Sequence, residues 1–412
     1  MRRSTTHILT SHAGSLPRPD DLIELNRRRM NGEPVDPDEY AAHLRQATID
    51  VVRRQAEIGI DVPGDGEYGK AMGQRVDYGA WWSYAFQRLG GLELMMDASE
   101  VPQNPPRTTI RLTTWANRRD WQAFAEAYAD PDAGVSPRAR TGRRFMLPVC
   151  TGPLTYTGHD AIKRDIENFK AGLAAAGVEE GFMTSVAPGS LSRIGNTYYA
   201  SEEEFIYACA DAMRAEYQAI VDAGLILQLD DPCIAENWDM FNPAPSLEDY
   251  RKFTMVRIEA LNYAIKGLPE DRLRFHLCWG SWHGPHTTDI PLRDIVDLML
   301  AINVAGYSFE AGNVRHEHEW KVWQDVKLPE GKVLIPGVVS HATNVVEHPE
   351  LVADRIVRFA NLVGRENVIA GTDCGLGGRI HPQIAWAKLQ ALVEGARLAS
   401  RQLWGGAVGA RA

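Results

Sequence analysis

Apolar positions along the chain follow two alternating rhythms. The first returns every three to four residues. Behind Asp36, the side chains Leu44, Ala47, Val51 and Ile58 keep that spacing and predict an amphipathic helix. Its ends are marked too. Asp36 is placed to cap the first turn, Pro37 fills the first helical position, Glu39 completes a capping-box pattern, and Gly59 ends the run. The same signals predict a helix from Ser201, with Glu204 three residues on, Phe205, Cys209, Ala212 and Ile220 facing inward, and a stop at Gly224. Another runs from Ser246, with Asp249, to Gly267.

The second rhythm is a set of short apolar runs between helices. They cover residues 7–13, 60–64, 182–187, 225–230, 273–278, 307–310, 333–339 and 368–373. Most are followed by a helical stretch, and eight strand–helix units predict an α/β fold closed as a (β/α)8 barrel. One segment, about 70–151, breaks the alternation. It holds an aromatic piece (Trp81, Trp82, Tyr84, Phe86), a loop with Pro102, Pro105 and Pro106, and two β-like runs at 108–114 and 145–150. The expectation is one barrel over residues 1–404, with this segment inserted after the second strand as a hairpin over the mouth. The small residues 405–412 are expected to form a disordered tail.

Composition narrows the function. The 412 residues carry a net charge of −10 without a long run of one sign, which argues against a nucleic-acid surface and for small-molecule work. No window has signal-peptide character or the roughly 18 apolar residues of a membrane span, so a cytoplasmic location is expected. The pattern is compatible with a homo-oligomer and does not fix the oligomeric state. Five cysteines (Cys150, Cys209, Cys233, Cys278, Cys374) are too sparse and too odd in number for a disulfide framework.

Some of those thiols are therefore free to be ligands. In FHLCWGS, His276 and Cys278 are two apart and share one face of a strand. Glu310 ends the run YSFE, and Cys374 follows the last strand in AGTDC. All four fall at strand ends of one polarity, where a barrel places its chemistry. One imidazole, two thiolates and a carboxylate suit Zn2+ and leave a net charge of about −1. A substrate thiol added to such an ion binds as thiolate and stays nucleophilic, which points to attack on an alkyl carbon. The blander reading makes Cys278 a small core residue and Glu310 a salt-bridge partner.

With these motifs in hand, the chain resembles the cobalamin-independent methionine synthase family, in its catalytic C-terminal barrel, from HAGSLPRP near the start to TDCGLGGRIHP near the end. The resemblance implies a zinc held by His276, Cys278, Glu310 and Cys374, and methyl transfer to homocysteine or a similar thiol. It also implies Ser15 on the amino-acid carboxylate, Glu67 (in GDGE) and Asp230 (in LQLDDP) on its amine, and a methylated folate as donor. His341, in GVVSHATN, stands near but offset from the family's general-acid histidine. The family's folate-stacking tryptophan is missing from SVAPGSLSRIGNTYY, and the second, N-terminal barrel of the full-length enzymes is not expected here. The single-barrel length also resembles the epoxyalkane:coenzyme M transferases, for which Arg18 or Lys70 would clamp a sulfonate. A barrel that holds zinc or a thiol without turnover is the alternative from another class. His283 and His286 are expected at the mouth.

Overall fold

The computed structural model describes residues 1–77, 79–95, 118–135 and 147–405. In chain order the described strands are β1 (Leu9–Thr10), β2 (Leu89–Met95), β3 (Leu147–Tyr156), β4 (Phe182–Val186), β5 (Gly195–Asn196), β6 (Ile226–Asp230), β7 (Leu273–Leu277), β8 (Gly306–Phe309), β9 (Val333–Val339) and β10 (Ile369–Thr372). Seven of them make one parallel sheet in the order β1-β10-β9-β8-β7-β6-β4. These are seven of the eight runs expected to line a barrel.

The eighth, 60–64, sits between β1 and β4. Val62 N donates to Thr10 O and Phe182 N donates to Pro63 O, both at 3.0 Å, beside a parallel bridge between Gly64 and Phe182. Pro63 has no N–H to give, so the ladder here shrinks to a bridge while the ring still closes. The helices start and stop where the chain signals them. Asp36 accepts from Asp38 N and Glu39 N at the head of Pro37–Ile58, and Gly59 ends it at φ 98°. Ser201 and Ser246 cap Glu202–Asp222 and Leu247–Ile265 in the same way.

The barrel interior is layered. At the N-terminal ends of the strands Leu9, Val333, Ile335 and Ile369 form one apolar cluster and Val62, Phe182 and Ile226 another, with Met1 packed against both. Above this floor lies the Arg274 guanidinium, 3.4 Å from the centre of the Phe182 ring. It donates to Gln228 Oε1 (2.7 Å), Ser11 Oγ (2.9 Å) and His12 O (2.8 Å). Burial lowers its pKa to about 9. Polar side chains therefore begin below the mouth rather than only at its rim.

Among its described residues the inserted segment is tied to the barrel at several points. β2 and β3 pair antiparallel from Leu89↔Tyr156 to Met95↔Leu147, and β3 also pairs parallel with β5. The described antiparallel partner of β3 is thus 89–95, whose Gly90 and Gly91 interrupt the alternation that would have marked it as a strand. The run 108–114, Pro102, Pro105, Pro106 and residues 406–412 lie outside the described residues. Arg88, just before β2, ties the hairpin to outer helices through Asp165 (2.5 Å) and Glu216 (2.9 Å). Arg118–Ala129 reaches the rim loop after β7. Asp120 accepts from Thr287 N (2.9 Å) and Tyr128 OH (2.8 Å), and Trp282 Nε1 donates to Tyr128 OH (2.9 Å). Among the described residues no helix is long and apolar enough to cross a membrane.

Candidate metal centre and thiol pocket

His276 comes from β7, and parallel register sets it beside Asp230 of β6 and Ser308 of β8. Cys278 follows two residues later on the same face. Cys374 arrives from three strands round the ring, in the turn after β10. The ligand atoms of His276, Cys278 and Cys374 all lie within 4.8 Å of one another. All five cysteines are free thiols.

Three observations fit this trio to a soft divalent ion. The His276 Nδ1 lies 2.9 Å from Ser308 Oγ, while its buried Nε2 finds no hydrogen-bond partner. A hydrogen bond from Nδ1 to that hydroxyl would fix the tautomer whose Nε2 lone pair faces the sulfurs. Cys374 is held well below the usual thiol range by the adjacent Cys278 thiol and the His276 imidazole, and its charge in turn pushes Cys278 up. One thiolate is thus favoured without any ion. The donor set, imidazole and two sulfurs, is one that zinc takes. Ser308→Ala, which frees the imidazole to rotate, is expected to weaken zinc affinity about 10- to 100-fold, read by chelator competition.

Glu310 is not in that trio. It groups with His341 and Asp373, again with ligand atoms within 4.8 Å. Its oxygens accept from Trp279 N (2.8 Å) and Asn313 Nδ2 (2.7 Å). Burial, with Asp373 and Cys374 nearby, lifts its carboxyl to about 8, against the pull of His316. Asp373 accepts from Ala311 N (2.8 Å), Gly312 N (2.7 Å) and Asn313 Nδ2 (3.1 Å), and burial raises it to about 6. Its approach depends on Gly337 of β9, where a Cβ would stand 2.3–2.5 Å from Asp373 atoms. His341 is buried, its Nδ1 has no partner, and burial lowers it to about 3. His283 Nε2 lies 3.1 Å from His341 O, and His286 sits between Asp289 and Trp282 O, so both line the rim loop after β7.

The three residues expected to hold the substrate's polar end lie around the mouth. Ser15 Oγ accepts from Arg18 Nη1 (2.9 Å) and reaches Gly377 O (3.3 Å), while Ser15 O accepts from Leu376 N and Gly377 N. Glu67 is a non-glycine residue at φ 63°, directly after Gly66 at φ 66°. Such backbone costs about 1–3 kcal/mol and persists where the surroundings over-determine it. Its Oε1 accepts from Thr184 Oγ1 and from Lys70 Nζ (3.1 Å). Burial works against the Glu67 charge, but Lys70 and Arg18 outweigh it and lower its pKa. Asp230 accepts from Gln228 Nε2 (2.7 Å), and burial lifts it to about 7, with Lys70 and His276 pulling the other way.

Asp373 and Ser308 thus join the site beyond the set expected to ligate or bind, and Lys70, a candidate clamp for a sulfonate, lies beside Glu67. Ser308 stands two residues before Glu310 in YSFE, and the same-face rule that paired His276 with Cys278 would have found it. Asp373 adjoins Cys374, but nothing in TDCG separates a buried acceptor from a turn carboxylate.

No protein-family model matches the chain. Among curated proteins, a methionine synthase of Thermococcus kodakarensis is 24% identical over 96% of this chain and 94% of its own length. The uncharacterized protein YxjH of Bacillus subtilis is 23% identical over 93% of this chain and 92% of its own. Among solved structures, a B12-independent methionine synthase from Shewanella sp. W3-18-1, in complex with selenomethionine, superposes with a TM-score of 0.67 at 18% identity, covering 97% of this chain and 99% of that one. The chain is thus similar along nearly its whole length to a curated methionine synthase and shares the fold of a B12-independent one.

Proposed function

We propose that this protein is a zinc-dependent methyltransferase that alkylates a small thiol, homocysteine or one of similar shape, within a single barrel domain of residues 1–404 carrying the 70–151 insertion. The observation that carries this reading is the convergence of His276, Cys278 and Cys374 from β7 and from the turn after β10. These three would hold the ion, with Glu310 as the fourth ligand, turned from Trp279 N and Asn313. Zinc, when bound there, supplies Lewis acidity that keeps a substrate sulfur deprotonated and nucleophilic at neutral pH. The methionine synthases among the relatives support methyl as the group and homocysteine as the acceptor.

The chain's own residues do the rest. Ser15 and the turn at Gly377 receive the carboxylate end of the thiol. Asp230 and Glu67 set the charge of the pocket. His341 delivers a proton to the leaving atom. Burial disfavours its imidazolium, so a proton rests there only in passing, beside the carboxyls of Glu310 and Asp373 that share its cluster. His341→Asn is therefore expected to cut kcat about 100-fold while zinc content and thiol affinity hold, a split that steady-state kinetics beside metal analysis reads.

Zinc-loaded protein, a methylated folate and homocysteine should yield free folate and an S-methyl product. A second reading, addition of a thiol to an epoxide, is favoured by the short helix Pro188–Leu191 that follows β4 in place of a stacking tryptophan. Turnover of an epoxyalkane with coenzyme M, and none with any methyl donor, would decide for it.

A further inference from the structure

An amino-acid thiol brings an ammonium group, and the two carboxylates suited to receive it are Glu67 and Asp230. Glu67 already pairs with an ammonium that belongs to the chain, and the same charge acts on Asp230. Lys70 is three residues after Glu67, and its side chain is 7% exposed. Its Nζ donates to Glu67 Oε1 at 3.1 Å and to Thr184 Oγ1, and lies 4.5 Å from the centre of the Tyr84 ring. Thr184 Oγ1 in turn donates to the same Glu67 oxygen. The cation is thus enclosed by a carboxylate, a hydroxyl and an aromatic face, with Asp230 close enough for Lys70 to be the strongest charge acting on it.

The anion side is arranged differently. The Arg18 guanidinium is 4% exposed and donates to neutral acceptors: Ser15 Oγ, Leu16 O, Glu67 O and Lys70 O. Its Nε is buried without a partner. A fixed positive charge hydrogen-bonded to neutral oxygens, beside the serine expected to meet the substrate's carboxylate, favours an added anion. A second ammonium entering beside Lys70 meets like charge in a desolvated pocket.

We infer that Lys70 is a built-in ammonium occupying the place of a substrate amine, and that this barrel selects a thiol with an anionic end and no α-amino group. The inference rests on the reading of His276, Cys278 and Cys374 as a zinc site that binds a thiol. Lys70 is on this account a specificity determinant, and the acceptor belongs to the mercaptoalkanoate class.

Homocysteine and 4-mercaptobutanoate form a matched pair that differs only by the amine. Titrated calorimetrically into zinc-loaded protein, 4-mercaptobutanoate is expected to bind about ten-fold tighter or better. Lys70→Met is expected to erase or reverse that preference through a gain in homocysteine affinity. If the variant does not fold, the wild-type comparison decides alone. Equal or tighter binding of homocysteine by the wild type overturns the inference and leaves the zinc–thiol reading standing. Binding of neither thiol overturns both.

Discussion

Cys374→Ala is expected to bind zinc at least about 100-fold more weakly than the unaltered protein and to lose methyl transfer along with the metal. Loss of an outer partner alone costs 10- to 100-fold, and a directly ligating thiolate contributes more. The effect should be specific to position. Cys209 is a buried core residue of the helix Glu202–Asp222, far in role from the trio, so Cys209→Ala should cost packing energy and keep its zinc. Metal content after dialysis against graded chelators reads both. Full zinc retention in Cys374→Ala would remove the thiolate from the ligand set and with it the proposed centre.

The largest expected effect on stability is at Arg88. Its guanidinium is buried between Glu216 and Asp165, and Glu216 also accepts from Tyr84 OH (2.7 Å), Tyr156 OH (2.6 Å) and Ser185 Oγ (2.8 Å). Arg88→Leu leaves Glu216 buried without its cation, while Asp165 keeps Arg164 (2.8 Å), and an unpaired buried carboxylate costs about 3–5 kcal/mol. The sign with pH follows from Glu216. Burial alone would raise its pKa, but Arg88 and the hydroxyls outweigh that and lower it. A carboxyl lowered on folding stabilises above its unfolded pKa of about 4.3, and the contribution fades as pH falls through the folded value. Without Arg88 the same carboxyl is raised, so acid relieves the variant. Urea midpoints should therefore differ most near neutral pH and draw together in acid. Equal midpoints at neutral pH would mean that the hairpin's attachment to the outer helices contributes little.

Much of this architecture was legible in the chain because its signals are local. Asp36, Ser201 and Ser246 cap helices by their own side chains, and Gly59 needs a positive φ. Strand runs buried on both faces stand out as apolar blocks. The barrel then brings His276, Cys278 and Cys374 together, as strand ends of one polarity must. Less legible was anything set by pairing across distance. Leu89–Met95 was hidden by its glycines until Leu147–Tyr156 supplied a partner. Glu310 meets His341 and Asp373 rather than the sulfurs because Trp279 N and Asn313 aim it, a matter of side-chain direction that spacing does not carry. Lys70 in GEYGK reads as one of two candidate anion clamps, and its enclosure by Glu67, Thr184 and Tyr84 is what spacing does not carry.

The eighth stave of the ring, 60–64, is held by main-chain bonds from Val62 N to Thr10 O and from Phe182 N to Pro63 O, and Pro63 has no N–H of its own to add. That stave runs straight into the turn bearing Glu67 and Lys70, while its neighbour β1 runs into Ser15. A small molecule gripping both turns would act as a clasp across the joint, so occupancy should register as slowed amide exchange at Val62 and Phe182, well below the rim where the molecule sits.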